Sequence, residues 1–179
     1  IETKRYSFSK SNQNLNWKKL YYQTLDYLNA YIKYNPNVTL ILKGKTGVHK
    51  KKDISKYLNK NCFFIEGGTG EKFLKNAKVV IAFNSTIVFE AIASHRNLMI
   101  PNFNNENLNK KIHMHQIKNK EHYINSKNQL FKKLDLYLNY SNENKKLTTK
   151  DRLTLNYYLG NIDGKSGERM RKFLFKEIN

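Results

Sequence analysis

The chain has 179 residues, enough for one domain with a real core, and 33 basic against 14 acidic side chains give it a formal net charge of +19. Its single cysteine, Cys62, excludes an intrachain disulfide and a thiolate metal site and points to a reducing compartment. No apolar run approaches the roughly 18 residues that span a bilayer, and the opening IETKRYSFSK lacks the apolar centre of a signal peptide.

In chain order, KRYSFS reads as a first strand. NLNWKKLYYQTLDYLNAYIKYNPN follows as an amphipathic helix with Leu20, Thr24, Leu28 and Tyr31 or Ile32 on one face and Asn35-Pro36-Asn37 as its stop. VTLILK, residues 38–43, reads as a buried strand, and DISKYLNK as a short helix opened by Asp53. CFFIE is the next strand and runs directly into GGTG. EKFLKNA supplies one or two helical turns, KVVIAF the strongest strand of the chain, STIVFEAIASH a helix and NLMIP a strand closed by Pro101. Residues 102–120 are polar, Asn-rich and aperiodic, which predicts a long mobile loop. A short strand at HYI leads into SKNQLFKKLDLYLN, whose Leu130, Leu134 and Leu138 share one helical face. TTKDRLTLNYYLG and GKSGERMRKFLFKEI read as two further helices separated by GNIDG.

Strands alternating with helices predict the α/β class: a Rossmann-like, doubly wound parallel sheet of four to six strands with helices on both faces, as one domain over residues 1–179. Such sheets bind ligands outside the carboxyl ends of their strands. Three segments at those ends are unusual: KGKTG, EGGTG and NST.

Asn84, Ser85 and Thr86 stand where a strand turns into a helix, so first-turn amides and the positive end of the helix dipole face the same crevice, as an anion requires. Simple helix capping accounts for one such residue and less well for three. Glu90 is a lone carboxylate on an apolar helix, where a buried charge needs a partner; a ribose diol would serve, and so would a neighbouring lysine. Gly67, Gly68 and Gly70 let backbone approach a phosphate or base closely, although a tight turn needs glycine too. Lys43 and Lys45 are within reach of a diphosphate from the neighbouring strand end. Neither a dinucleotide fingerprint nor a Walker motif is met. His113 and His115 lack a third ligand, so no metal and no cofactor is expected, and no catalytic side chain is identified.

The run FIEGGTGEKFLKNAKVVIAFNSTIVFEAIASHRNLMIPNF resembles the nucleotide-sugar-binding C-terminal half of bacterial capsule and lipopolysaccharide glycosyltransferases of the GT-B fold, and YYLGNIDGKSGERMRKFL is similar to their closing segment. The likeness covers about residues 36–175. It implies that Asn84, Ser85 and Thr86 hold the donor diphosphate, Glu90 a ribose or sugar hydroxyl, and Gly67, Gly68 and Gly70 the base or phosphate side. It also implies transfer of a sugar from a nucleotide-diphosphate sugar to a surface polysaccharide or lipid-linked glycan, and a missing acceptor-binding half, so that the chain is expected to be a fragment. The spacing from Ser85 to Glu90 is longer than in the related plant glucosyltransferase motif. KGKTG replaces the His-Pro motif of glycerol-phosphate polymer enzymes, which ranks sugar transfer above CDP-glycerol-type polyol-phosphate transfer.

Lysine supplies nearly all the positive charge and arginine only five residues, which disfavours base-edge recognition of nucleic acid. The expected partners are a nucleotide-sugar donor, a glycan or lipid-linked acceptor and an anionic membrane surface, with a cytoplasmic location peripheral to the inner face of the membrane. A non-enzymatic Lys-rich module for nucleic acid or anionic lipid is the alternative from a different class, and an epimerase-like relative a third.

Overall fold

The computed structural model describes residues 17–44, 51–68, 70–83, 85–103, 117–139 and 146–176. The expected strand at KRYSFS, Lys45, Asn84, His113, His115 and most of the expected loop over 102–120 lie outside the described residues.

The first helix, α1 (Trp17–Tyr34), buries Leu20, Thr24, Leu25, Leu28, Tyr31 and Ile32. Thr24 is accommodated because its hydroxyl donates to the Leu20 carbonyl at 2.7 Å, which satisfies a polar group in the core. Pro36 bars further helix, and Asn35 closes the last turn by donating its side-chain amide to the Tyr31 carbonyl at 3.0 Å.

Strands β1 (Leu40–Gly44) and β2 (Cys62–Glu66) form a parallel pair, from Leu40 opposite Cys62 to Gly44 opposite Glu66. A 3₁₀ helix (Lys51–Tyr57) overlaps the expected short helix and buries Ile54 and Tyr57 against Leu25 of α1. A second sheet is parallel as well, in the order β3 (Val79–Ile81), β4 (Asn97–Pro101), β5 (Tyr123–Ile124). The helices α2 (Glu71–Asn76) and α3 (Ile87–Ala93) flank β3 in the chain. They are followed after β5 by α4 (Lys127–Asn139), α5 (Thr149–Leu159) and α6 (Ser166–Lys176).

Residues of β4 alternate between two hydrophobic clusters, as the two-residue period of a strand demands. Met99 joins Leu20, Leu28, Tyr31 and Ile32 of α1 and Leu130 and Leu134 of α4. Leu98 and Ile100 join Leu74 of α2, Val88, Phe89, Ala91 and Ile92 of α3 and Leu155 of α5. Ile124 and Tyr123 of β5 divide in the same way. The three-stranded sheet therefore carries helices on both faces, and its central strand is buried at every position.

Three expectations about the strands are met only in part. The strands form two small sheets rather than one continuous ladder, and KVVIAF, expected to be the strongest strand, pairs over Val79–Ile81 alone. The first strand is also only half buried: Leu40 and Leu42 pack on the core, while Ile41 and its cross-strand partner Phe63 stay 44% and 49% exposed. Both sheets nevertheless share one cluster, to which Leu40, Leu42, Cys62, Val79, Ile81, Met99 and Ile124 all contribute. Cys62 is a core residue whose thiol burial pushes above its ordinary pKa. Among the described residues no helix is long and apolar enough to cross a membrane.

Candidate functional site

Because β1 and β2 run parallel and in register, their carboxyl ends lie side by side. The amide of Gly67 donates to the Gly44 carbonyl at 3.1 Å, which ties the start of the glycine loop to the end of β1. Gly67 and Gly68 then take φ of 68° and 69°, the left-handed region that favours glycine. A Cβ on Gly70 would stand 2.9 Å from Cδ1 of Ile87, the first residue of α3. The loop after β2 is thus held against the β1 end on one side and against the start of α3 on the other.

Thr86 precedes α3 in a helical conformation, and its side chain makes no capping bond. The Ser85 carbonyl accepts from the Val88 amide at 3.1 Å, and the Thr86 carbonyl accepts from Phe89 at 2.9 Å and Glu90 at 3.4 Å. Donors for an anion at this end therefore come from the turn itself and not from the amides of residues 88–90. Ser85 and Thr86 are exposed, so their hydroxyls are satisfied by water and are open to a ligand that replaces it.

Of the remaining expected residues, Lys43 is exposed at the end of β1 and donates through Nζ to the neighbouring Gly44 carbonyl at 3.2 Å. Glu90 is a correction: it lies on the solvent side of α3, while Val88, Phe89, Ala91 and Ile92 bury the opposite side. An exposed carboxylate is solvated and does not require the partner that burial would have demanded. The structure ties Gly67 to the β1 end and sets Gly70 beside the Ile87 side chain at the start of α3, with Glu90 about one turn further along that helix.

Beside this group of loops Tyr21 of α1 packs on Phe83, with ring centroids 6.0 Å apart, and edge-on against Tyr22 at 5.4 Å. Burial, aided by the neighbouring phenol of Tyr22, pushes the Tyr21 hydroxyl up to about 12, so it stays a neutral donor through the physiological range. Helical spacing alone gave no sign that Tyr21 would lie by a strand end.

Two further polar assemblies lie elsewhere. Asp151, in the first turn of α5, accepts from Thr148 in a reciprocal capping box and meets Nε2 of buried His122 at 2.7 Å, with Asn119 donating to it at 3.2 Å. Burial works against its ionisation, yet the hydrogen bonds from His122, Thr148 and Asn119 outweigh that and hold its carboxyl well below the usual range. The run Thr148-Thr149-Lys150-Asp151 shows the capping-box spacing in the sequence; the partnership with His122, 29 positions away, leaves no local trace. An open cleft of about 430 Å³, lined in part by His95, Arg152, Asn156 and Asp163, sits at the far end of α3 from Ser85 and Thr86.

No protein-family model, no curated protein and no solved structure matches the chain.

Proposed function

We propose that the chain is the donor-binding domain of a GT-B glycosyltransferase, taking a nucleotide-diphosphate sugar at the carboxyl ends of β1, β2 and β3. The observation that supports this reading is that the glycine loop after β2 is bonded to the end of β1, through the Gly67 amide on the Gly44 carbonyl, and lies beside the first residue of α3, through Gly70 against Ile87. An arrangement of glycine backbone, a Ser-Thr turn and exposed Lys43 suits a diphosphate, which wants closely approaching amides and hydroxyls with a cation nearby.

In this reading the two sheets are parts of one parallel sheet in the order β2-β1-β3-β4-β5, and the switch point at which such sheets bind nucleotides falls between β1 and β3. Leu40, Leu42, Val79 and Ile81 contribute to one common core cluster, as strands of a shared sheet would. Ser85 and Thr86 hold phosphate oxygens, and Gly67 and Gly68 admit the base or phosphate side. The leaving diphosphate is stabilised by backbone amides and lysine.

A thermal-shift panel of UDP, CDP, GDP and their sugar conjugates tests the proposal. Selective stabilisation by one base, reduced in Ser85→Ala, supports it. Equal and salt-sensitive shifts with every polyanion, unaffected by Ser85→Ala, would instead favour a Lys-rich polyanion-binding module.

A further inference from the structure

The last two helices, α5 and α6, leave most of their large apolar side chains outside the main clusters. Of the ten large hydrophobic residues that are exposed among the described residues, six fall between Leu153 and Phe173. On α5, Leu153 and Tyr157 share the face opposite buried Thr154 and Leu155, and Tyr157 is 73% exposed. On α6, Met170 and Phe173, three positions apart and so on one face, are 66% and 65% exposed. No described side chain of α6 joins a core cluster.

Among the described residues, the charges on and beside α5 and α6 have one sign once internal pairs are removed. Asp163 is held by Arg169 at 2.8 Å, Glu168 by Lys172 at 2.9 Å, and Asp151 is buried against His122. Exposed Lys150, Arg152, Lys165 and Arg171 remain. A second copy would set this basic surface, on a chain of net charge +19, against its own like. A phosphate backbone would meet the charge but leave Met170 and Phe173 in water. A bilayer interface with anionic headgroups answers both, cations at the headgroups and apolar side chains at the acyl boundary.

We propose that α6, with the exposed face of α5, docks on an anionic lipid surface. This stands independently of the donor site. The test is co-sedimentation of the full chain with vesicles of phosphatidylcholine alone and with added phosphatidylglycerol, beside two variants: Met170→Ser/Phe173→Ser, which keeps the charge, and Lys165→Glu/Arg171→Glu. All four positions are exposed, so both variants keep the fold, which circular dichroism checks. The expected result is binding to anionic and not neutral vesicles, weakened about tenfold or more in each variant. No binding to anionic vesicles overturns the proposal. So does undiminished binding of Met170→Ser/Phe173→Ser, which would reveal adsorption by bare charge, and so does self-association that this variant abolishes, which would assign the face to a second copy.

Discussion

Single residues carry the sharpest tests of the local chemistry. His95 ends α3 with φ 57°, its amide on the Ile92 carbonyl at 3.0 Å and the Arg96 amide on Ala91 at 2.8 Å, the paired bonds of a Schellman stop. Glycine is the usual residue there, since a Cβ in the left-handed region is strained. His95→Gly is expected to stabilise the fold by about 0.5 kcal/mol, read as a higher urea midpoint; a lower midpoint would show that the imidazole's own contacts outweigh the strain. The same reasoning gives the opposite sign at Gly68, where a Cβ meets nothing within 4 Å but φ is +69°. Gly68→Ala should cost about 1 kcal/mol through backbone strain alone.

Asp151 is the residue through which acid should act. Its folded pKa lies below the unfolded value, so it contributes stability above the ordinary carboxylate range and loses it as pH falls through the lower folded value. Urea melts should therefore show stability declining below about pH 4. Asp151→Ala should cost about 3 kcal/mol at neutral pH and flatten that decline. A variant with the parent's acid sensitivity would place the effect on other groups.

At the scale of elements, the sequence was most legible where a periodic pattern had a single buried face. Leu20, Thr24, Leu28, Tyr31 and Ile32 predicted the buried side of α1, and Leu130 and Leu134 that of α4. It was least legible in the strands, because a short apolar run does not say whether its second face is covered. VTLILK and NLMIP read alike, yet β1 alternates while β4 is buried throughout, since helices cover both faces of β4 and Ile41 and Phe63 face solvent. The difference is measurable: Leu98→Ala should cost about 2 to 5 kcal/mol through the cavity it leaves. Ile41→Ala should cost under about 1 kcal/mol, the range of a cross-strand surface pair. Equal costs would mean that something covers the exposed face.

The candidate site was legible to a similar degree. Glycines, a Ser-Thr turn and strand-end positions marked which loops to consider, because turn chemistry is local. What depended on burial was not legible: Glu90 reads as a lone charge in an apolar helix, and only the orientation of α3 puts it in water. Tyr21 and the pair of His122 with Asp151 arise from contacts between distant segments, to which spacing is blind.

At the scale of the whole molecule, a charge of +19 makes anion binding unselective unless a built site supplies direction. The strand-end loops are proposed to form such a site for a nucleoside diphosphate. The most direct measurement is calorimetric titration of UDP, CDP and GDP into the parent chain and Ser85→Ala, each at low and high salt. One diphosphate is expected to bind with a defined single-site isotherm, weakened about tenfold by Ser85→Ala and only modestly by added salt. Weak binding of all three diphosphates that collapses with salt and ignores Ser85→Ala would contradict it.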